Sequence, residues 1–185
     1  VVPSTPTGWG SEQGQEAIWK SIGHAQENYN IDPNRVFVYG GSMGGYGVCS
    51  TITARTDFFA AACPFIGCSD LTGYAENFSN VCFYIVVGEK DPYVDNKAAK
   101  LTADRLKELG YDVTFREMKD KGHEVPPSEY PPLVAKLRKT SRNMYAPKLQ
   151  RGNGSGRWYW LECGGDSDGE YAGQTVTVKG SVSAV

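Results

Sequence analysis

Three side chains in this sequence could serve together as a nucleophile, a base and an orienting acid. Ser42, Asp91 and His123 follow one another along the chain. A serine hydroxyl is a weak nucleophile at neutral pH and needs a base that is largely unprotonated there, which fits imidazole with its unperturbed pKa of about 6.5. A buried carboxylate then fixes the ring tautomer and stabilises the imidazolium that forms. These residue types predict acyl transfer through Ser42.

Ser42 lies in the pattern Gly-x-Ser-x-Gly, which spans residues 40–44. On its own this pattern also occurs in ordinary glycine-rich loops. Here a continuous apolar run, Val36 to Tyr39, precedes it and a helical pattern follows, which predicts a nucleophile elbow between a buried strand and a helix. Gly40 and Gly44 are expected to give the neighbouring backbone room to pass. The amino end of the helix also favours a developing oxyanion.

The position of the orienting acid is predicted from a second apolar run, Cys82 to Val87, which indicates another buried strand. Asp91 follows it, at the carboxyl end of a strand, where ligand sites form in open α/β sheets. Asp95 is the competing carboxylate. It directly precedes a helical pattern of apolar residues, which favours a role as helix N-cap, so Asp91 is the predicted acid.

His123 is the predicted base, in a loop after the alternating segment Val113 to Arg116. A loop histidine alone is more often a solvated side chain, and the Ser42 pattern is what favours catalysis. His24 is the other histidine and falls away from the apolar face of its predicted helix, so we expect it to be exposed. That buried face is predicted to comprise Ile18, Ile22, Ala25 and Tyr29.

Apolar strand patterns alternate with helical patterns from Ser11 to Lys139, which predicts an α/β fold with a parallel sheet. The segment between Ser42 and Asp91 is filled by these elements and leaves no room for a lid domain. An open site would suit a small-molecule ester or a polysaccharide-linked ester.

Four segments of the sequence resemble the α/β-hydrolase family, in particular its carboxylesterase and feruloyl-esterase-like serine esterases and the related prolyl-oligopeptidase-like hydrolases. The segments that carry this resemblance are Ile31 to Val36, Gly40 to Tyr46, Gly88 to Pro92, and Gly122-His123. It implies the C-terminal part of a doubly wound, mostly parallel sheet over residues 1–140. By position, it also implies Ser42 as nucleophile, Asp91 as acid, His123 as base and the Met43 backbone N–H as an oxyanion donor.

The beginning of the sequence departs from that family. Its members place several strands and the loop with the second oxyanion donor before the elbow strand, whereas Val1 to Ser4 resembles only the end of the preceding strand. We therefore expect a missing N-terminal segment or a partner chain at the edge formed by Val36 to Tyr39. The second oxyanion donor is left unassigned.

Composition excludes several other classes of function. The chain has 185 residues, 40% hydrophobic, with a net charge of −2 and 19 dispersed basic residues, which disfavours a nucleic-acid partner. No apolar run approaches the length of about 20 residues that a membrane span needs. The five cysteines lack a C-x-x-C pair, so neither a metal nor another cofactor is expected. Cys63 and Cys68 could form a disulfide in an exported protein.

From Thr140 onward the sequence becomes polar and glycine-rich, so residues 141–185 are predicted to be a linker and a small, hairpin-like β extension. Its alternating segments, Arg157 to Leu161 and Gln174 to Lys179, predict two antiparallel strands. Trp158 and Trp160 could form a sugar-binding face or pack on the body. The sequence thus favours a serine esterase, with a prolyl-oligopeptidase-like peptidase or a non-catalytic carbohydrate-binding module as alternatives.

Overall fold

The computed structural model describes residues 8–144 in full and, after them, the backbone of four short strands. The strands of the body are β1 (Phe37–Gly41), β2 (Ala61–Phe65), β3 (Cys82–Gly88) and β4 (Val113–Met118). The α-helices are α1 (Glu12–Asn28), α2 (Met43–Ala54), α3 (Asn96–Glu108) and α4 (Tyr130–Leu137). Short 3-10 segments form at Thr72–Phe78 and Pro127–Glu129. None of the helices in the described part of the chain is long and apolar enough to cross a membrane.

The four strands of the body form one sheet in the order β1-β2-β3-β4, and every neighbouring pair is parallel. Strands β2 and β3 are buried along their whole length, which explains their unbroken apolar sequences. One core cluster packs residues of α2 and α3 on the sheet, and a second cluster on the other face includes Leu133 of α4. The predicted α/β fold with helices on both faces of a parallel sheet is confirmed.

Side chains cap the first turns of two helices. Ser11 caps α1 by accepting a hydrogen bond from the Gly14 N–H, and Asp95 caps α3 by accepting one from the Lys97 N–H. The expectation that Asp95 is an N-cap is therefore confirmed.

Local geometry sets the helix ends. Helix α4 begins at Tyr130, and Pro131 and Pro132 occupy its first turn, where no intrahelical N–H bond is needed. Tyr29 was expected on the buried face of α1, but it is the extended C-cap residue of that helix and is largely exposed. His24 is exposed, as predicted.

The strands after residue 144 pair differently from the expectation. Lys148–Arg151 (β5) pairs with Gln174–Thr177 (β8), and Gly156–Trp158 (β6) pairs with Leu161–Cys163 (β7), in both cases antiparallel. The prediction of one strand over Arg157 to Leu161 is wrong, because period-two alternation marks extended chain but not where a hairpin reverses. Trp160 lies outside the described residues, and the domain division at residue 140 stays a prediction.

Candidate active site

Ser42 lies in a sharp turn between the last residue of β1 and the first residue of α2. Its backbone has φ 54° and ψ −119°, a conformation that costs a non-glycine residue about 1–3 kcal/mol. Three backbone hydrogen bonds hold it: the Ser42 N–H donates to the Phe65 carbonyl at 2.9 Å, and the Ser42 carbonyl accepts from the N–H groups of Gly45 and Tyr46 at 2.9 and 3.3 Å. The predicted strand, turn and helix around Ser42 are all present, but the expectation of a buried strand is wrong, because β1 lies at the edge of the described sheet and is only partly buried.

The glycines near this turn differ in how much space a Cβ atom would find at each position. A Cβ atom at Gly40 would overlap the backbone of Gly44, and one at Gly67 would overlap the backbone of Ser42. A Cβ atom at Gly44 would meet nothing within 4 Å among the described residues. Steric need therefore explains glycine at position 40, and the expectation that Gly44 is also required for space is wrong.

We expect Gly40→Ala to lower the free energy of unfolding by about 2 kcal/mol or more, because the overlap is with backbone that cannot rotate away. Gly44→Ala is the matched control. It should stay within about 1 kcal/mol of the wild type, because alanine favours the helix and finds open space. Urea denaturation of both variants measures the difference, and equal losses would contradict this account of the turn.

The structure brings Ser42, His123 and Asp91 together. The Ser42 Oγ lies 2.7 Å from the His123 Nε2, and the His123 Nδ1 lies 2.7 Å from the Asp91 Oδ2. Asp91 follows β3 and His123 follows β4, so the carboxyl ends of three parallel strands meet at this point. The three side chains form one continuous line of hydrogen bonds.

Asp91 is held in an environment that keeps its carboxylate charged. Its side chain is completely buried (0% exposed), and its Oδ1 accepts hydrogen bonds from the N–H groups of Tyr93 and Val94 at 2.9 and 3.1 Å. Burial raises the pKa of Asp91, but hydrogen bonds from His123 and from these two N–H groups outweigh that effect, so the pKa lies below its usual value.

A lowered pKa means that ionised Asp91 stabilises the fold. That contribution is complete above the unfolded-state pKa of about 3.9 and is lost as the pH falls through the lower folded-state value. We expect the melting temperature of the wild type to exceed that of Asp91→Asn at neutral pH, and the gap to narrow below about pH 4. Thermal denaturation of both proteins between pH 3 and pH 7 measures this difference in melting temperature. A difference that stays constant over this pH range would contradict a lowered pKa of Asp91.

Large apolar side chains surround the site without burying it. Tyr93 is 81% exposed, and its ring stands edge-on to the His123 imidazole at 5.3 Å between centroids. Met43 and Tyr46, at the start of α2, are also exposed. As expected, the chain between Ser42 and Asp91 contains only α2, β2, the 3-10 segment and β3, with no inserted domain.

A further segment, not predicted from the sequence, packs against the backbone of Ser42. Gly67 packs directly on the backbone of Ser42 and Gly45, and Ile66 before it has a φ of 43°, in the left-handed region. No local pattern predicts this contact, because it joins the segment after β2 to the turn after β1. The suggested Cys63–Cys68 disulfide is wrong: both thiols are free and lie in different core clusters.

Residues 11–81 match the Prolyl oligopeptidase family. A 52-residue segment is 44% identical to acyl-protein thioesterase 1 of Gibberella zeae, and it covers 28% of this chain and 22% of that protein. The fold is similar to that of a thermostable esterase, with a TM-score of 0.62 and 26% identity, over 75% of this chain and 40% of that chain. It is also similar to the Bacillus cereus carboxylesterase, with a TM-score of 0.54 and 16% identity, over 69% of this chain and 60% of that chain.

The matches thus cover less than two thirds of the length of each of these relatives. The fold of this chain is therefore that of the α/β hydrolases, and its sequence is similar to a thioesterase and to the Prolyl oligopeptidase family.

Proposed function

We propose that this chain carries the catalytic residues of a serine hydrolase that cleaves carboxylic esters through a covalent acyl-enzyme. The observation that supports this most strongly is the line of two 2.7 Å hydrogen bonds from Ser42 through His123 to Asp91. In this mechanism His123 accepts the Ser42 hydroxyl proton as the oxygen attacks the ester carbonyl. Asp91 holds the ring tautomer and stabilises the imidazolium.

The tetrahedral intermediate then needs donors for its oxyanion. Met43 is the first residue of α2, where helix geometry leaves the backbone N–H without an intrahelical acceptor, so its N–H is one such donor. The imidazolium returns its proton to the leaving alcohol. Water, activated by the same imidazole, then hydrolyses the acyl group from Ser42. The second oxyanion donor is unassigned among the described residues.

An ester is preferred to a peptide as the substrate because the relatives of known structure named above are esterases and the curated relative is a thioesterase. The match of residues 11–81 to the Prolyl oligopeptidase family favours the second candidate, a peptidase. The exposed surroundings of His123 suit both a small ester and an ester on a polysaccharide. A non-catalytic carbohydrate-binding module, using Trp158 and Trp160, is the third candidate.

One kinetic comparison separates these candidates. The chain is assayed with p-nitrophenyl esters of increasing acyl length and with peptide p-nitroanilides at equal concentration. We expect turnover of the short esters and little or none of the peptides. Faster cleavage of the peptides would favour the peptidase, and absence of turnover with both would favour the binding module.

We further propose that a strand from an N-terminal segment or a partner chain pairs with β1. In the described part of the chain, β1 is an edge of the sheet. An apolar cleft of about 440 Å³ runs beside it, between α1 and α2, with Trp9, Ile22 and Val38 in its lining. Unpaired backbone and bare apolar surface at an edge favour strand addition. Analytical ultracentrifugation gives the mass of the 185-residue chain in solution, and an ester assay gives its activity. A soluble, fully active monomer would contradict this proposal.

A further inference from the structure

Two cysteines lie in contact beneath the Ser42 turn. The Sγ atoms of Cys49, on α2, and Cys68, in the segment after β2, are 3.7 Å apart. Both side chains are buried, at 2% and 1% exposure, and both are free thiols. The proposed hydrolysis uses neither sulfur. A disulfide has an S–S distance of about 2.05 Å, so closing the bond needs a shift of less than about 2 Å between the two atoms.

The segment that carries Cys68 also holds Ser42 in place. Phe65 accepts the hydrogen bond from the Ser42 N–H, and Gly67 packs against the Ser42 backbone. Cys49 lies on the helix that begins directly after Ser42. A covalent link between Cys49 and Cys68 would therefore join the two elements on either side of the turn.

We propose that Cys49 and Cys68 form a disulfide under oxidising conditions and that this bond fixes the turn at Ser42. The oxidant is a small-molecule or protein disulfide. The Cys49 thiolate attacks one of its sulfurs, forms a mixed disulfide and releases one thiolate. Cys68, having given up its proton, attacks the Cys49 sulfur and displaces the second thiolate. Two protein thiols are oxidised and one external disulfide is reduced to two thiols.

The surroundings give the two sulfurs different roles in this exchange. The hydrogen bond with Cys68 lowers the pKa of the Cys49 thiol, and the N–H of Ser69, which donates to the Cys49 Sγ at 3.3 Å, contributes in the same direction. The hydrogen bond with Cys49, together with burial, raises the pKa of Cys68. The contacts agree with this direction, because Cys49 accepts from the Ser69 N–H, whereas the Cys68 Sγ donates to the Ser69 carbonyl at 3.4 Å and so keeps its proton; we therefore assign the attacking thiolate to Cys49.

Cys63 provides a matched comparison. It is as deeply buried as Cys49 and Cys68, lies on β2 close to Cys68 in sequence, and packs in the core cluster on the other face of the sheet. Burial raises its pKa. Substitution of Cys63 by alanine should leave the proposed disulfide intact.

Both sulfurs are buried in the folded chain, so the test starts from the unfolded, reduced chain, and the exchange takes place while refolding brings the two sulfurs and Ser69 together. The full chain is refolded either in an oxidising glutathione buffer or in reducing dithiothreitol. Its free thiols are then alkylated in denaturant, and its intact mass is measured by mass spectrometry. We expect two fewer alkylated thiols after oxidative refolding. Trypsin cleavage after Arg55 and chymotrypsin cleavage after Phe65 separate Cys49, Cys63 and Cys68, so the linked peptide identifies the pair.

The oxidised chain should melt about 5–10 °C above the reduced chain, since the bond closes a loop of roughly 20 residues. Cys63→Ala should show the same oxidised-minus-reduced shift, and Cys49→Ala and Cys68→Ala should show none. The difference in melting temperature between oxidised and reduced chain is measured within each variant. A variant that is less stable overall therefore still shows whether the disulfide forms. A full set of alkylated thiols, or a linked peptide other than Cys49–Cys68, would overturn the proposal whether or not the chain hydrolyses esters.

Discussion

Ser42→Ala should lose turnover of p-nitrophenyl esters by about 10⁴-fold or more, because no other hydroxyl is held against His123 among the described residues. The fold should survive, since the turn is held by the backbone bonds of Ser42 to Phe65 and Gly45, which alanine keeps. Initial rates at saturating ester, together with a melting curve for each protein, measure both expectations.

Ser50→Ala is the control for that experiment. Ser50 lies on the same helix, and its hydroxyl donates to the Tyr46 carbonyl rather than to His123. Its turnover should remain within about twofold of the wild type. If Ser42→Ala kept wild-type turnover, the covalent mechanism would be refuted.

Asp91→Asn should reduce turnover by about 10⁴-fold with little change in the geometry of the site. An amide can still accept the N–H bonds of Tyr93 and Val94, but its NH₂ group cannot accept the His123 Nδ1–H as the carboxylate does. The imidazole then favours the tautomer that presents a proton to Ser42 and is no longer a base. The assay is the ester turnover number at neutral pH.

Asp95→Asn is the matched control because it makes the same chemical change four residues away. The Asp95 side chain accepts from the Lys97 N–H as the cap of α3, and asparagine caps helices equally well. Turnover and melting temperature should both stay close to those of the wild type. A large loss in Asp95→Asn, with Asp91→Asn active, would reverse the assignment of the acid.

The elements that could be predicted from the sequence are those with a local signal. The apolar run that became β3 is continuous because that strand is buried along its whole length, and Asp95 accepts a hydrogen bond from an N–H group in the first turn of its own helix. The run that became β1 predicted a strand correctly, although β1 is only partly buried. The loops with Asp91 and His123 follow strands, and parallel strands bring their carboxyl ends together. Local pattern and sheet geometry were therefore sufficient to bring the three side chains near one another.

Features that depend on contacts between distant segments could not be read from the sequence. The support of Ser42 by Gly67 and the contact of Cys49 with Cys68 both join α2 to the segment after β2. Which glycine is required for space, Gly40 or Gly44, depends on where neighbouring backbone passes rather than on the Gly-x-Ser-x-Gly pattern. The pairing of β5 with β8 likewise depends on register, which alternation does not specify.

The most direct test of the proposed mechanism is the site at which a fluorophosphonate probe labels the chain, because only an activated serine reacts. After labelling at neutral pH, intact mass gives the number of adducts, and fragmentation of the tryptic peptide over residues 36–55 distinguishes Ser42 from Ser50. We expect one adduct, on Ser42, and none in His123→Ala. Absence of an adduct in the wild type, or an adduct on another residue, would contradict it.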